Sequence, residues 1–193
     1  MQRYKKTGID LVLFGDLSGV TDLSVVFLVI NQIVFYIGFK IREAMEGIFK
    51  KLNYKDQPVV HVLEAPESFN TELRALDGKA TIQRDATGEI QFAIGFVQLR
   101  KRLAEMVHEV APKLVGDAVF WMAYPKGKSK NYTCDFNRDT GWEAMGDYGL
   151  EPIRQVSIDE DWSALRFRKV AYIKKLTRKF GVLSAEGKEK LGH

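Results

Sequence analysis

The feature that most constrains the fold is an alternation of short apolar runs with amphipathic segments. Residues 117–124 (DAVFWMAY) are nearly all apolar, as is typical of a central strand covered on both faces. Further strands are predicted at Val59 to Leu63, Lys79 to Arg84 and Ile90 to Val97, and helices at Glu67 to Leu76 and Gln98 to Val110. Strands that alternate with helices indicate an α/β fold with a mostly parallel sheet.

The end of this domain follows a different pattern. Asn137 or Arg138 to Tyr148 is predicted to be a helix that ends at Gly149. Glu151 to Ile158 and Trp162 to Val170 are separated by three residues, so they are predicted to be antiparallel neighbours. The sequence therefore predicts a Rossmann-like mostly parallel sheet with helices on both faces and a C-terminal antiparallel hairpin.

The N-terminal 44 residues differ from the rest of the chain. Leu23 to Phe39 is seventeen residues long and uncharged, whereas a spanning helix needs about twenty apolar residues. We consider a membrane anchor, an extension packed on the domain, and sequence translated upstream of a true start at Met45. Membrane contact is expected only through Leu23 to Phe39. The predicted organisation is an apolar extension (1–44), a Rossmann-like domain (45–170) and a basic tail (171–193). A helix is predicted over Ile41 to Asn53, across the boundary between the extension and the domain.

Charge and cysteine content give weaker constraints. The chain has 193 residues, a net charge of +4 and one cysteine, Cys134, and it shows no signal peptide, so a cytoplasmic location is expected. Arg166 to Lys190 holds nine Lys or Arg and two Glu, a net charge of +7, so the rest of the chain has a net charge of −3. This basic segment is either a solvated helix face or a contact for nucleic acid or acidic lipid. Ala171 to Phe180 is predicted to be helical and the last dozen residues to be frayed.

A binding site is predicted at the carboxyl ends of the strands, where α/β sheets of this type bind ligands. The polar and aromatic groups expected at that edge are Pro66, Tyr124, Pro125, Lys126, Lys128, Arg138, Asp161 and Trp162. The loop after Tyr124 offers ammonium groups to an anion, or is simply solvated, and it lacks the glycine spacing of a P-loop. Asn137 and Asp139 suit the start of a helix. Arg138 is expected to pair with Asp159 or Asp161, or to face a ligand.

Residue types with catalytic chemistry do not form a recognisable set. His61, His108 and His193 have no zinc-ligand spacing with one another or with Cys134. The three acids at 159–161 are sequence neighbours that point in different directions. The sequence therefore predicts no catalytic residue, no metal site and no cofactor.

Residues 90–170 contain a strand, an amphipathic helix, PKLVGD leading into a buried strand, a helix, then GLEP and two antiparallel strands. This order resembles the closing half of class I methyltransferases. The resemblance implies a glycine-rich turn after the first strand, where the backbone approaches the carboxylate of adenosylmethionine. Here that turn is Leu63 to Ser68 (LEAPES), which has no glycine.

Residues 45–170 contain four further characteristic segments, EAPESF (64–69), WMAYPK (121–126), NRDT (137–140) and IDEDWSALRF (158–167). With these segments the domain resembles a bacterial family known only as a domain of unknown function, the three-thousand-and-fifty-second of its series. The resemblance implies a compact cytoplasmic domain. Our leading hypothesis is a non-catalytic module that binds a small anionic ligand or a protein partner. The alternatives are a diverged methyltransferase-like enzyme and a protein that binds nucleic acid or acidic lipid through Arg166 to Lys190.

Overall fold

The computed structural model describes residues 30–37, 47–176 and 181–192. The chain divides into two compact units, Met1–Glu43 and Ala44–His193. In the first unit, residues 30–37 are helical and exposed, with Phe35 78% and Val34 63% accessible. The remainder of the predicted apolar segment, 23–29 and 38–39, lies outside the described residues. Among the residues that are described, no helix combines the length and apolar character needed to cross a bilayer.

Six strands of the second unit form one sheet in the order β2-β1-β3-β4-β6-β5. The first three strands are β1 (Val59–Leu63), β2 (Thr81–Gln83) and β3 (Ile90–Phe96), and the last three are β4 (Leu114–Pro125), β5 (Leu150–Ser157) and β6 (Trp162–Lys169). Neighbours among β1 to β4 are parallel, whereas β6 runs antiparallel to both β4 and β5. The predicted fold class is confirmed, including the antiparallel hairpin. The elements from β3 to β6 follow the order that the resemblance to a methyltransferase closing half implies.

Helical segments pack on both faces of this sheet. They are α1 (residues 47–51), α2 (Asn70–Leu73) with a 3-10 turn on either side (Glu67–Phe69 and Arg74–Leu76), α3 (Arg100–Val110), α4 (Glu143–Gly146) and α5 (Ala185–Leu191). One buried cluster joins α3 to one face, and another joins α1 and residues 67–76 to the opposite face. Trp121 is fully buried in the second cluster, where its Nε1 donates to the Leu52 carbonyl at 2.7 Å. Burial of a large apolar side chain contributes about 1.5–3 kcal/mol, so these two layers hold the strand ends in place.

The predicted helix over 137–148 is wrong for its first half, because α4 begins only at Glu143. Asn137 Oδ1 instead accepts hydrogen bonds from the backbone N–H groups of Asp139 and Thr140, which closes a turn. Gly141 follows with a φ of +95°, and a Cβ there would lie 2.6 Å from Phe136 Cβ. The side chain of Asn137 and the glycine therefore favour a turn over a helix at this point.

The C-terminal predictions also need correction. Val170–Tyr172 is a single 3-10 turn, residues 173–176 are not helical, and residues 177–180 lie outside the described part. The last dozen residues, predicted to be frayed, contain α5, which Ser184 caps by accepting from Gly187 N at 3.0 Å. The buried Glu151 carboxylate accepts hydrogen bonds from Leu183 N and from the N–H and hydroxyl of Ser184. This segment is thus docked on β5 rather than solvated.

Candidate functional site

A cleft of about 580 Å³ opens where β1 and β3 end side by side. From β1 the chain passes to β2 on one side of β1 and then crosses to β3 on the other side. The strand order therefore reverses between β1 and β3. Ligands of doubly wound sheets bind at such a reversal. We call this the first cleft, and its walls include Glu64, Pro66, Gln98, Leu99, Tyr132 and Trp162.

The turn that follows β1 holds Glu64 in an unusual backbone conformation. Its φ is +53°, in the left-handed region that favours glycine. The Glu64 carboxylate pairs with Arg102 of α3 at 2.6 Å. A turn of the shape that glycine ordinarily permits is therefore formed here by a charged residue, and its side chain is fixed across the cleft by α3.

Arg102 contributes little free positive charge to the first cleft. Besides Glu64, its guanidinium contacts Glu105 at 3.3 Å and Glu109 at 2.8 Å. The hydrogen bonds that Arg102 donates, chiefly to Glu109 and then to Glu64, raise the pKa of Arg102, and they lower the pKa of Glu109. With Glu67 also lining the cleft, the local charge is net negative.

The other side of the first cleft is aromatic and apolar. Trp162 packs edge-on against Phe96 with ring centroids 5.2 Å apart, and against Tyr132 at 4.9 Å. Trp162 is only 2% exposed, and within the described residues its Nε1 has no hydrogen-bond partner. Leu99 at the rim is 58% exposed although it is apolar. The accessible apolar surface of this wall is therefore that of Leu99 and of the half-buried Tyr132.

A second cleft of about 590 Å³ lies at the carboxyl end of β4 and shares Tyr132 with the first. Its walls include Tyr124, Pro125, Lys126 and Arg138. The Tyr124 hydroxyl accepts from Gln155 Nε2 at 2.9 Å, and burial raises the pKa of Tyr124 to about 12. The phenol therefore stays neutral at physiological pH and can act as a hydrogen-bond donor.

The cations predicted to bind an anion here have different environments. Lys126 Nζ donates to Ser157 Oγ at 2.8 Å and to the Asp159 carbonyl, so it fastens the loop to the hairpin. Lys128 is exposed and does not line either cleft. Arg138 pairs with Asp139 at 3.0 Å; the expected pairing with Asp159 or Asp161 is wrong. The reason is that Arg138 and Asp139 are exposed sequence neighbours in the turn before α4.

Asp161 has a supporting position instead. Its carboxylate accepts from Asn131 Nδ2 at 2.8 Å and from Ser129 Oγ at 2.7 Å, and these bonds lower its pKa. The bonds attach the loop after β4 to the turn between β5 and β6.

The structure brings most of the predicted site residues to one edge, as two adjoining groups. Pro66 and Trp162 line the first cleft and Tyr124, Pro125, Lys126 and Arg138 the second, while Asp161 supports the loop and Lys128 stays outside both. Sequence reasoning missed Glu64, Leu99, Arg102 and Tyr132. Glu64 could have been predicted from the sequence, because it is the first residue after a strand. Arg102 could not, because it pairs with a residue 38 positions away along the chain. Within the described residues, no group of three or more His, Cys, Asp or Glu is arranged to hold a metal ion.

Comparison with protein-family models finds no match, and none is found among curated proteins, so the resemblance to the bacterial domain of unknown function stays a prediction. Solved structures with a similar fold include a SAM-dependent methyltransferase from Aquifex aeolicus, with 11% identity, a TM-score of 0.42, and coverage of 65% of this chain and 89% of that one. Magnesium protoporphyrin IX methyltransferase from Synechocystis PCC 6803 gives 11% identity, a TM-score of 0.41, and coverage of 66% and 79%. Ribosomal protein L11 methylase from Lactobacillus delbrueckii subsp. bulgaricus has 12% sequence identity and a TM-score of 0.39, and the match covers 68% of this chain and 78% of that one. The fold assignment itself rests on the strand order and the reversed β6.

Proposed function

We propose that this domain binds adenosylmethionine in the first cleft and is a diverged methyltransferase-like protein. The observation that carries the proposal is the position of an acidic, aromatic-walled cleft at the reversal of strand order between β1 and β3. This proposal replaces the expectation of no cofactor that the sequence alone supported.

The charge of the first cleft supports a cationic ligand over an anionic one. Glu64 and Glu67 line it, and the positive charge of Arg102 is shared among Glu64, Glu105 and Glu109. Adenosylmethionine carries a sulfonium and an ammonium group, and its ribose hydroxyls donate hydrogen bonds to carboxylates. When bound, it supplies an electrophilic methyl group.

The aromatic wall supports a ligand with a ring and a cation. Tyr132 is half-buried against Trp162 and lines the cleft, and cations are attracted to the faces of aromatic rings. The cleft volume of about 580 Å³ lies within the usual range of cofactor sites. The left-handed Glu64 gives the turn a conformation that methyltransferases of this type obtain with glycine.

Calorimetry and thermal melting test the proposal. We expect adenosylmethionine to raise Tm, because a ligand at a hundred times its Kd stabilises the native state by about 2.7 kcal/mol. Glu67→Gln should weaken binding by about tenfold, because an interaction with a charged group contributes about 1.5–3 kcal/mol. Glu89→Gln is the matched control, since Glu89 is also exposed but lies outside the cleft. No heat and no thermal shift with millimolar adenosylmethionine would refute the proposal.

A second candidate is the non-catalytic module of the initial hypothesis, which binds a small anion or a partner at the second cleft. The exposed Arg138 at that cleft favours it, although Asp139 offsets part of the charge. Incorporation of a labelled methyl group from adenosylmethionine into a cell extract separates the two functions. Incorporation that falls with Glu67→Gln supports transfer, whereas no incorporation, together with anion binding that falls with Arg138→Gln, supports the second candidate.

A further inference from the structure

Three arginines lie on one face of the β5–β6 hairpin. Arg154 and Arg166 are direct cross-strand partners, and Arg168 follows two residues along β6 on the same face. Like charges directly opposite each other destabilise a pair of strands. The hairpin therefore carries a charge arrangement that an anion would relieve.

The protein compensates only part of this charge. Arg168 donates to both oxygens of Asp117, at 2.7 and 2.5 Å. Arg154 reaches the neutral side chain of Asn53 at 3.3 Å. Lys55 is close enough to lower the pKa of Asp117. In the described part of the chain, Asp117 is the carboxylate that compensates these arginines, because Glu151, the cross-strand partner of Arg168, directs its carboxylate to Leu183 and Ser184.

Arg166 has the least compensation of the three. Its Nε is buried, and no described residue accepts a hydrogen bond from it. Burial, followed by the charge of Arg168, lowers the pKa of Arg166. A buried N–H of a charged group without an acceptor is costly, so Arg166 is the least satisfied of the three side chains.

This arginine cluster is separate from the clefts at the carboxyl edge. Arg166 lies opposite Trp121 in the middle of the sheet. Along β6 it is four residues from Trp162, or about 13 Å at about 3.3 Å per residue. An anion held by the cluster would not occupy either cleft.

We propose that Arg154, Arg166 and Arg168 form a binding site for a phosphate group. Guanidinium groups match the oxygens of phosphate with paired N–H donors, and a dianion neutralises more of the excess charge than chloride does. Cross-strand side chains start about 5 Å apart, so three long side chains at neighbouring positions are within reach of one small anion. Donors placed this close together favour a single phosphate over the spaced phosphates of a nucleic acid.

The test uses the full chain with inorganic phosphate as the probe and sodium chloride at matched ionic strength as the reference. We expect phosphate to raise Tm above the value in chloride. In Arg154→Gln, phosphate should bind at least about tenfold more weakly, because a charge-assisted contact is lost. The same variant should melt no lower than the wild type in phosphate-free buffer, because removal of one arginine relieves the repulsion. Arg84→Gln is the matched control, since Arg84 is an exposed arginine at the opposite edge of the sheet.

Several results would overturn the proposal. One is a wild-type response to phosphate no larger than the response to chloride. Another is an Arg154→Gln variant that binds phosphate as the wild type does, or a response lost instead with Lys128→Gln, which would place the anion at the carboxyl edge. Binding of a labelled oligonucleotide that requires Arg154, with no response to inorganic phosphate, would identify a nucleic-acid surface instead.

Discussion

Glu64 combines two opposing contributions to stability in one residue. Its backbone is in the left-handed region, which is unfavourable for a residue with a Cβ, while its carboxylate joins the turn after β1 to Arg102 of α3. Strained backbone is common at ligand sites, where the surrounding structure enforces it. The position of Glu64 at the mouth of the first cleft is consistent with that pattern.

We predict that Glu64→Gly is more stable than Glu64→Ala by about 1 kcal/mol. Both variants remove the carboxylate, but only glycine removes the strain, so their difference isolates the backbone contribution. Urea unfolding followed by circular dichroism measures it. Ala65→Gly is the control, because Ala65 has no positive φ and glycine there should destabilise the domain. A Glu64→Gly variant less stable than Glu64→Ala would contradict the assignment of strain.

Single residues of the candidate site could be predicted from sequence only where a strand end placed them. Tyr124 ends one apolar run that is readable as a strand and Pro66 follows another, so the position of both at one edge was expected. Arg102 and Tyr132 could not be found in this way. Their roles depend on an ion pair and a ring contact between distant segments, and neither leaves a local pattern in the sequence.

At the scale of elements, strands were easier to predict than helices. The runs that became β1, β3 and β4 are apolar on both faces, and that pattern has few alternatives in a folded domain. The helix predicted from 137 does not form over its first half, because Asn137 Oδ1 accepts local hydrogen bonds from the backbone N–H groups of Asp139 and Thr140. At α5 a helix forms where the sequence predicted frayed residues. This seven-residue helix is too short to be stable alone and depends on tertiary contacts.

Glu151 supplies those tertiary contacts for the C-terminal segment. We predict that Glu151→Ala costs about 2–4 kcal/mol, because it leaves two backbone N–H groups and the Ser184 hydroxyl without their acceptor. Residues 181–192 should lose hydrogen-exchange protection before the sheet does. Glu143→Ala serves as the control, since Glu143 is exposed on α4. Equal protection of this segment in both variants would show that Glu151 does not hold it.

At the scale of the whole molecule, the apolar residues fall into two contrasting groups. Both buried clusters consist of residues from Ile48 onward. In the described part of the first unit, the large apolar side chains of the helix at 30–37 are exposed instead. A helix with apolar residues on all sides is stable only when something covers it, and such exposed surface promotes association.

We therefore predict that a chain beginning at Met45 folds without the first unit. It should remain in solution as a monomer or small oligomer and unfold cooperatively in urea, because both buried clusters are retained. The full chain should elute at a larger size in gel filtration or bind detergent, and Phe35→Lys should reduce that association by adding a charge to the apolar helix. Gln91→Lys, at an exposed position of β3, adds the same single positive charge and controls for charge alone. An insoluble or molten chain from Met45 would show that residues 1–44 complete the core.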